Sequence, residues 1–201
     1  MNLKKSVCLF LFTVCLLPLV DAQKGQVGLT FSAFSDNDVA RFKSIEDDSR
    51  TDAGKSFTYG LTYLKPLNKW LDLETGLEFR SCSIVRTSIM VDPVRGIFSL
   101  LRSETMSLLS LPATVRANFL HYFFVNAGFL LDADLSSNSI VASQTGIGTL
   151  FGLGLKYDFK NGISAFVNPI MKVHSFPLSF HQNQEHFLES TVRFGITYKL
   201  K

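Results

Sequence analysis

The sequence predicts an all-β protein: eight antiparallel strands closed into an up-and-down transmembrane barrel with a filled polar lumen. Three observations predict it. Long segments alternate apolar and polar residues with a period of two. The links between those segments alternate long and short. Aromatic residues gather where the strands meet the short links.

A leader precedes the strands. Lys4 and Lys5 form a basic start, Val7 to Val20 an apolar core, and Val20-Asp21-Ala22 a compact cleavage signal. This pattern is that of a secretory signal peptide, cut between Ala22 and Gln23. The apolar run is shorter than the ~20 residues a membrane helix needs, and Pro18 sits near its end. A lipoprotein signal at Cys15 fits poorly, because Val14 stands where a small residue is wanted. Residues 1–22 are therefore the expected signal peptide and 23–201 the barrel domain.

Within that domain the period-two signal is clearest in Leu71–Phe79. There Leu71, Leu73, Thr75, Leu77 and Phe79 alternate with Asp72, Glu74, Gly76 and Glu78. The last strand sets Leu188, Ser190, Val192, Phe194, Ile196, Tyr198 and Leu200 against Glu189, Thr191, Arg193, Gly195, Thr197 and Lys199. Strict alternation gives a strand with one apolar and one polar face. Val27–Phe34, Ser56–Leu64, Thr105–Asn118, Phe123–Asp134, Gly146–Phe159 and Gly162–Val173 complete the eight. Most approach or exceed ten residues, the length of a tilted membrane strand.

The links Ser35–Gly54, Ser83–Glu104, Leu135–Thr145 and His174–Phe187 read as long loops. Lys65–Lys69, Phe119–Tyr122 and Lys160-Asn161-Gly162 read as tight turns. Outer-membrane barrels alternate in this way, with turns in the periplasm and loops outside. Tyr63, Trp70, Phe119, Tyr122, Phe123, Tyr157, Phe159 and Tyr198 fall at the turn end, as an interfacial girdle would.

The polar face must then line the lumen. It carries Glu74, Glu78, Arg80, Arg116, Asn126, Asp132, Lys156, Lys172 and Arg193, beside Gly60, Gly76, Gly128, Gly148, Gly152, Gly154 and Gly195. An eight-stranded barrel is just wide enough for side chains to fill. Mixed signs therefore predict an ion-pair network of Glu74, Glu78, Arg80, Arg116, Asp132, Lys172 and Arg193, and no general porin.

Removal of Lys4, Lys5 and Asp21 from 20 basic and 17 acidic residues leaves 18 and 16. That near balance gives no basic face for nucleic acid. Cys8 and Cys15 leave with the leader, so Cys82 is the one cysteine of the mature chain and forms no internal disulfide. It falls just past the third strand, near the outer rim, with nothing evident to activate it.

Lys55–Leu61 and Leu73–Phe79 are similar to the early strands of the PorT-like outer-membrane β-barrel family of Bacteroidetes. Leu109–Arg116 resembles its "EIP-LL-K" strand, with Ser110 where the family often has Glu. Phe124–Gly128 and Gly152–Leu155 are similar to the strands that follow. The resemblance implies fold and outer-membrane location, and brings no catalytic motif.

The expected function is a structural or interaction barrel of the envelope, an adhesion or secretion accessory acting through its extracellular loops. Its surroundings would be outer-membrane lipid and lipopolysaccharide, with a protein partner on the long loops, no cofactor, and a monomeric state. An enzyme acting on lipids is the alternative, with His174, Ser175, His181, Glu185 and His186 as its candidate groups. Loop histidines are usually only solvated, so no catalytic or metal residues are assigned. A soluble lipocalin-like carrier is the third reading. Against it, Trp70 is not in the first strand, the chain ends on a strand, and glycines sit on the polar face.

Overall fold

A computed structural model of the chain describes residues 25–41, 50–92, 96–136, 145–174 and 185–200. Its side chains are described over 25–35, 56–85, 103–136, 145–174 and 188–200. The leader and its cleavage point lie outside the described residues.

Eight strands form one closed barrel. They are β1 Gln26–Arg41, β2 Arg50–Pro66, β3 Leu71–Asp92, β4 Gly96–Phe119, β5 Phe123–Asp134, β6 Gly146–Asp158, β7 Ile163–Val173 and β8 Glu185–Lys199. Each strand pairs antiparallel with the next, and β8 returns to β1 through Gln26↔Lys199 to Arg41↔Glu185. Closure pairs both edges of every strand where the ladders run, as a bilayer demands of its spanning strands, because an unpaired backbone group there costs several kcal/mol.

The alternation assigns the faces as the sequence predicts. Along β7 every second residue from Ser164 to Lys172 is buried, while Val167, Pro169 and Met171 are exposed. Leu29, Leu61 and Ile196, at 60–67% exposure, show that the outer wall is apolar. Glu74, Glu78 and Arg193 are buried inside. A soluble carrier of an apolar ligand needs the reverse arrangement, so that reading is overturned.

The short turns are built as expected. The Asn68 side-chain carbonyl accepts from the Trp70 and Leu71 amides, and Gly162 at φ 83° allows the Asn-Gly turn before β7. Around this end Trp70, Phe119, Tyr122, Phe123, Tyr157, Phe159 and Tyr198 are exposed as a girdle. Tyr63 departs from it: its ring lies buried against Gly25.

The opposite end differs from expectation. β3 and β4 run for 22 and 24 residues and stay paired up to Asp92↔Gly96, so Ser83–Glu104 is mostly a β-ribbon rather than a loop. Likewise β1 continues to Arg41 and β2 starts at Arg50, which shortens the predicted Ser35–Gly54 loop; 42–49 lie outside the described residues. The reason is physical. A ribbon standing in water has no buried face to impose apolar alternation, so its sequence resembles a polar loop.

The wall also opens on the way up. The β1–β2 ladder ends at Ser32↔Thr58, beyond which β1 stays paired with β8 and β2 with β3. Bulges between Ala33 and Asp36 and between Ala53 and Ser56 mark this split, and Phe34 takes φ 56° there. The Ser56 hydroxyl still bridges to Ser35 Oγ at 2.7 Å.

Candidate functional site: the charged lumen

Side chains from β3, β4, β5, β7 and β8 meet inside the barrel as a chain of alternating charge. Nearest the short turns, Arg116 reaches Glu74 at 3.0 Å. Its guanidinium lies 4.1 Å from the centroid of the Phe124 ring and 4.8 Å from that of Phe166. Those two rings fit because Gly154 faces Phe124 and Gly195 faces Phe166, where a Cβ would collide with the ring. A cation over an aromatic face gains up to about 2 kcal/mol when desolvated.

Arg193 is the next link, contacting Glu74 at 2.8 Å and Glu78 at 3.4 Å. Lys172 joins Glu78 at 2.5 Å and approaches Glu189 at 3.9 Å. Arg80 also pairs with Glu189 and donates to Ser56 Oγ at 3.1 Å. At the far end His174 stands between Glu189, 3.4 Å from Nε2, and Asp132, 2.8 Å from Nδ1. Ser110 Oγ donates to the other oxygen of Asp132 at 2.6 Å. A neutral imidazole can donate to one carboxylate only, whereas the imidazolium donates to both.

All seven residues predicted for the network are therefore inside and connected. Asn126 is inside too, its side-chain amide 3.1 Å from that of Asn168. Lys156 is not part of the network. It stays partly exposed at the short-turn end, 3.6 Å from Asp158. Two further members lie outside those seven. Glu189 stands on the polar face of the last strand, where the alternation already places it, and His174 continues the inward series Ile170, Lys172 by one further step. The same period reaches His174.

His174 is thus a lumen residue and not a solvated loop histidine. Ser175 and His181 lie outside the described residues. Glu185 and His186 begin β8, opposite Arg41 and Ala40, and their side chains are outside the description. Among the described residues no group of three or more His, Cys, Asp or Glu is placed to hold a metal. Cys82 is also corrected: β3 continues past it, and its thiol is fully buried inside the barrel rather than near a rim.

The lumen is not polar throughout. Leu130, Leu150 and Ile170 pack as a buried apolar cluster on the β5–β7 side. The charges share the remaining interior with hydroxyl side chains such as Thr58, Thr62 and Thr114 and with Phe124, Phe166, Met106 and Leu108.

No family model matches the chain, and no curated protein matches it. Solved structures do. The solid-state NMR structure of the outer membrane protein AlkL in DMPC bilayers is 12% identical, over 89% of this chain and 92% of that one, with a TM-score of 0.53. The fold is that of a small outer-membrane β-barrel. Weaker likenesses are to the outer membrane protein OprG of Pseudomonas aeruginosa, 13% identical over 89% and 96% of the two chains with a TM-score of 0.49, and to Ail of Yersinia pestis, 13% identical over 87% and 99% with a TM-score of 0.40.

Proposed function

We propose that this chain is a closed, non-conducting barrel of a Gram-negative outer membrane, an envelope component or adhesion or secretion accessory that works by contact. Its short turns face the periplasm and its strand extensions face outward. The observation that carries the reading is the length of β3 and β4, 22 and 24 residues. At ~3.3 Å per residue and a tilt of ~40°, such strands rise roughly 55 Å, against an apolar belt of ~25 Å. A paired ribbon well above the membrane has no use in spanning it, and suits presentation to a partner.

The reading as a PorT-like barrel, monomeric and in contact with lipopolysaccharide, belongs to the same proposal. So does the absence of catalysis. It is supported by His174, whose two ring nitrogens lie against Asp132 and Glu189.

A photoreactive side chain at Ile97, in the ribbon, is expected to capture a protein partner in intact cells, whereas one at Trp70, on a short turn, captures none outside the cell. Labelling by a membrane-impermeant reagent at Trp70 and not at Ile97 would reverse the orientation. Absence of any protein adduct at Ile97 would remove the contact function.

A further inference from the structure

The end of the lumen opposite the short turns is closed by a side chain that reaches across a strand. His174 follows the last residue of β7, yet its Nδ1 lies 2.8 Å from Asp132 Oδ2 on β5. β6 runs between those two strands and puts no side chain in the way, because Gly148 stands there. A Cβ at Gly148 would meet Val173 O at 2.6 Å and Asp132 Oδ2 at 3.0 Å. On its other side the ring reaches Glu189 of β8, with Nε2 3.4 Å from Oε2. One imidazole thus joins three strands, and all three side chains are buried. The two carboxylates are not equally provided for. Glu189 also pairs with Arg80 of β3 and lies 3.9 Å from Lys172 of β7, with Cys82 of β3 and Glu78 near the same cations. Asp132 accepts from the Ser110 hydroxyl of β4, and His174 is its one ion-pair partner among the described residues.

We infer that His174 is a pH-operated brace, which as an imidazolium ties β5 and β8 to β7 and on losing its proton releases that end of the barrel. The geometry fits the charged ring. An imidazolium donates to both carboxylates, whereas a neutral ring has one N–H. Whichever tautomer forms, the other nitrogen then turns a lone pair on a carboxylate. If Nε2 keeps the proton, Asp132 is left as a buried charge without a cation, the costly arrangement. Glu189 lies opposite Asn37 of β1 as well as Lys172 of β7, so its release loosens the start of β8 and the upper part of β1 together. β7, 11 residues long, rises roughly 28 Å at ~3.3 Å per residue and a tilt of ~40°. His174 comes after it, past the ~25 Å apolar belt. Burial alone would push the ring down, but its hydrogen bonds to Asp132 and Glu189, and their charges, raise it above the ordinary histidine value. The brace is therefore complete below about pH 6.5, where an unfolded histidine titrates, and is lost as pH rises through the higher folded-state value. It works in the same way whichever side of the membrane that end faces.

The test uses the whole barrel in lipid nanodiscs, its histidine rings and backbone amides read by NMR from about pH 6 to about pH 9. At the low end both ring nitrogens of His174 should carry protons, and the ring should titrate at a higher pH than histidine in the urea-unfolded chain. Across that titration the amides of Asp132, Ala133, Leu188 and Glu189 should exchange at least ten-fold faster, after correction for base catalysis. Those of Val27 and Gly28, at the turn end, should not change. His174→Gln, which carries no charge at any pH, should show no such step. Asp132→Asn should weaken proton binding by the ring at least ten-fold, about one pH unit. A neutral His174 at about pH 6, or a ring that titrates with no change in exchange, would overturn the brace. A step that persists in His174→Gln would assign the pH dependence to another group and overturn it too. Should His174→Gln fail to fold, Asp132→Asn decides alone, and an unchanged titration there sinks the inference.

Discussion

The outer wall and the lumen are built by the same strands, one residue apart, and their chemistries are opposite. Phe194 faces lipid beside Phe34, at a ring-centroid distance of 6.5 Å. Its neighbour Arg193 is fully enclosed between two carboxylates. On the outside, tolerance is broad: any apolar side chain of any shape is solvated by acyl chains. On the inside each charge depends on named partners. The wall is thus specified by composition and the lumen by geometry, so substitutions should cost most where partners are fixed.

The largest effect is therefore expected at Arg193. Arg193→Ala leaves Glu74 and Glu78 each short of a buried cation, at a cost of about 3–5 kcal/mol. Reversible urea unfolding in lipid vesicles measures it. A variant as stable as wild type would show that the lumen charges do not hold the barrel together. The neighbouring position sharpens the contrast. Phe194→Arg should cost roughly 2–4 kcal/mol if it lies near the bilayer midplane, through exposure of charge to lipid. Normal folding of Phe194→Arg together with failure of a conservative apolar swap there would mean that the two faces are assigned the wrong way round. A smaller effect is expected at the far end of the network, where Ser110→Ala removes the hydroxyl on Asp132 and costs about 1–3 kcal/mol. Loss of the same amount in a background already carrying Asp132→Asn would show that Ser110 does not act through that carboxylate.

Period two made the membrane part of this fold readable. It placed eight strands, their faces and all seven predicted lumen charges, because a wall between lipid and a packed interior leaves no choice of side. The ends of the strands were not readable. Above the membrane both faces of the β3–β4 ribbon meet water, so Ser83–Glu104 carries no alternation to mark it. The pairings were not readable either. Glu78 meets Lys172 across the barrel, 94 residues away, and that meeting is set by the stagger of the strands. His174 is hard to read for a different reason: it is a polar residue at the start of an apparent loop, although the inward series of β7 reaches it.

A lumen bridged and closed by the charge chain from Arg116 to Asp132 should carry no current. Planar-bilayer recording of the purified, folded wild-type barrel at neutral pH is expected to show no steady conductance on the scale of a porin, because eight strands enclose only what side chains can fill. Stable, porin-sized openings in a preparation whose folding has been verified would mean that the charge chain leaves the lumen open.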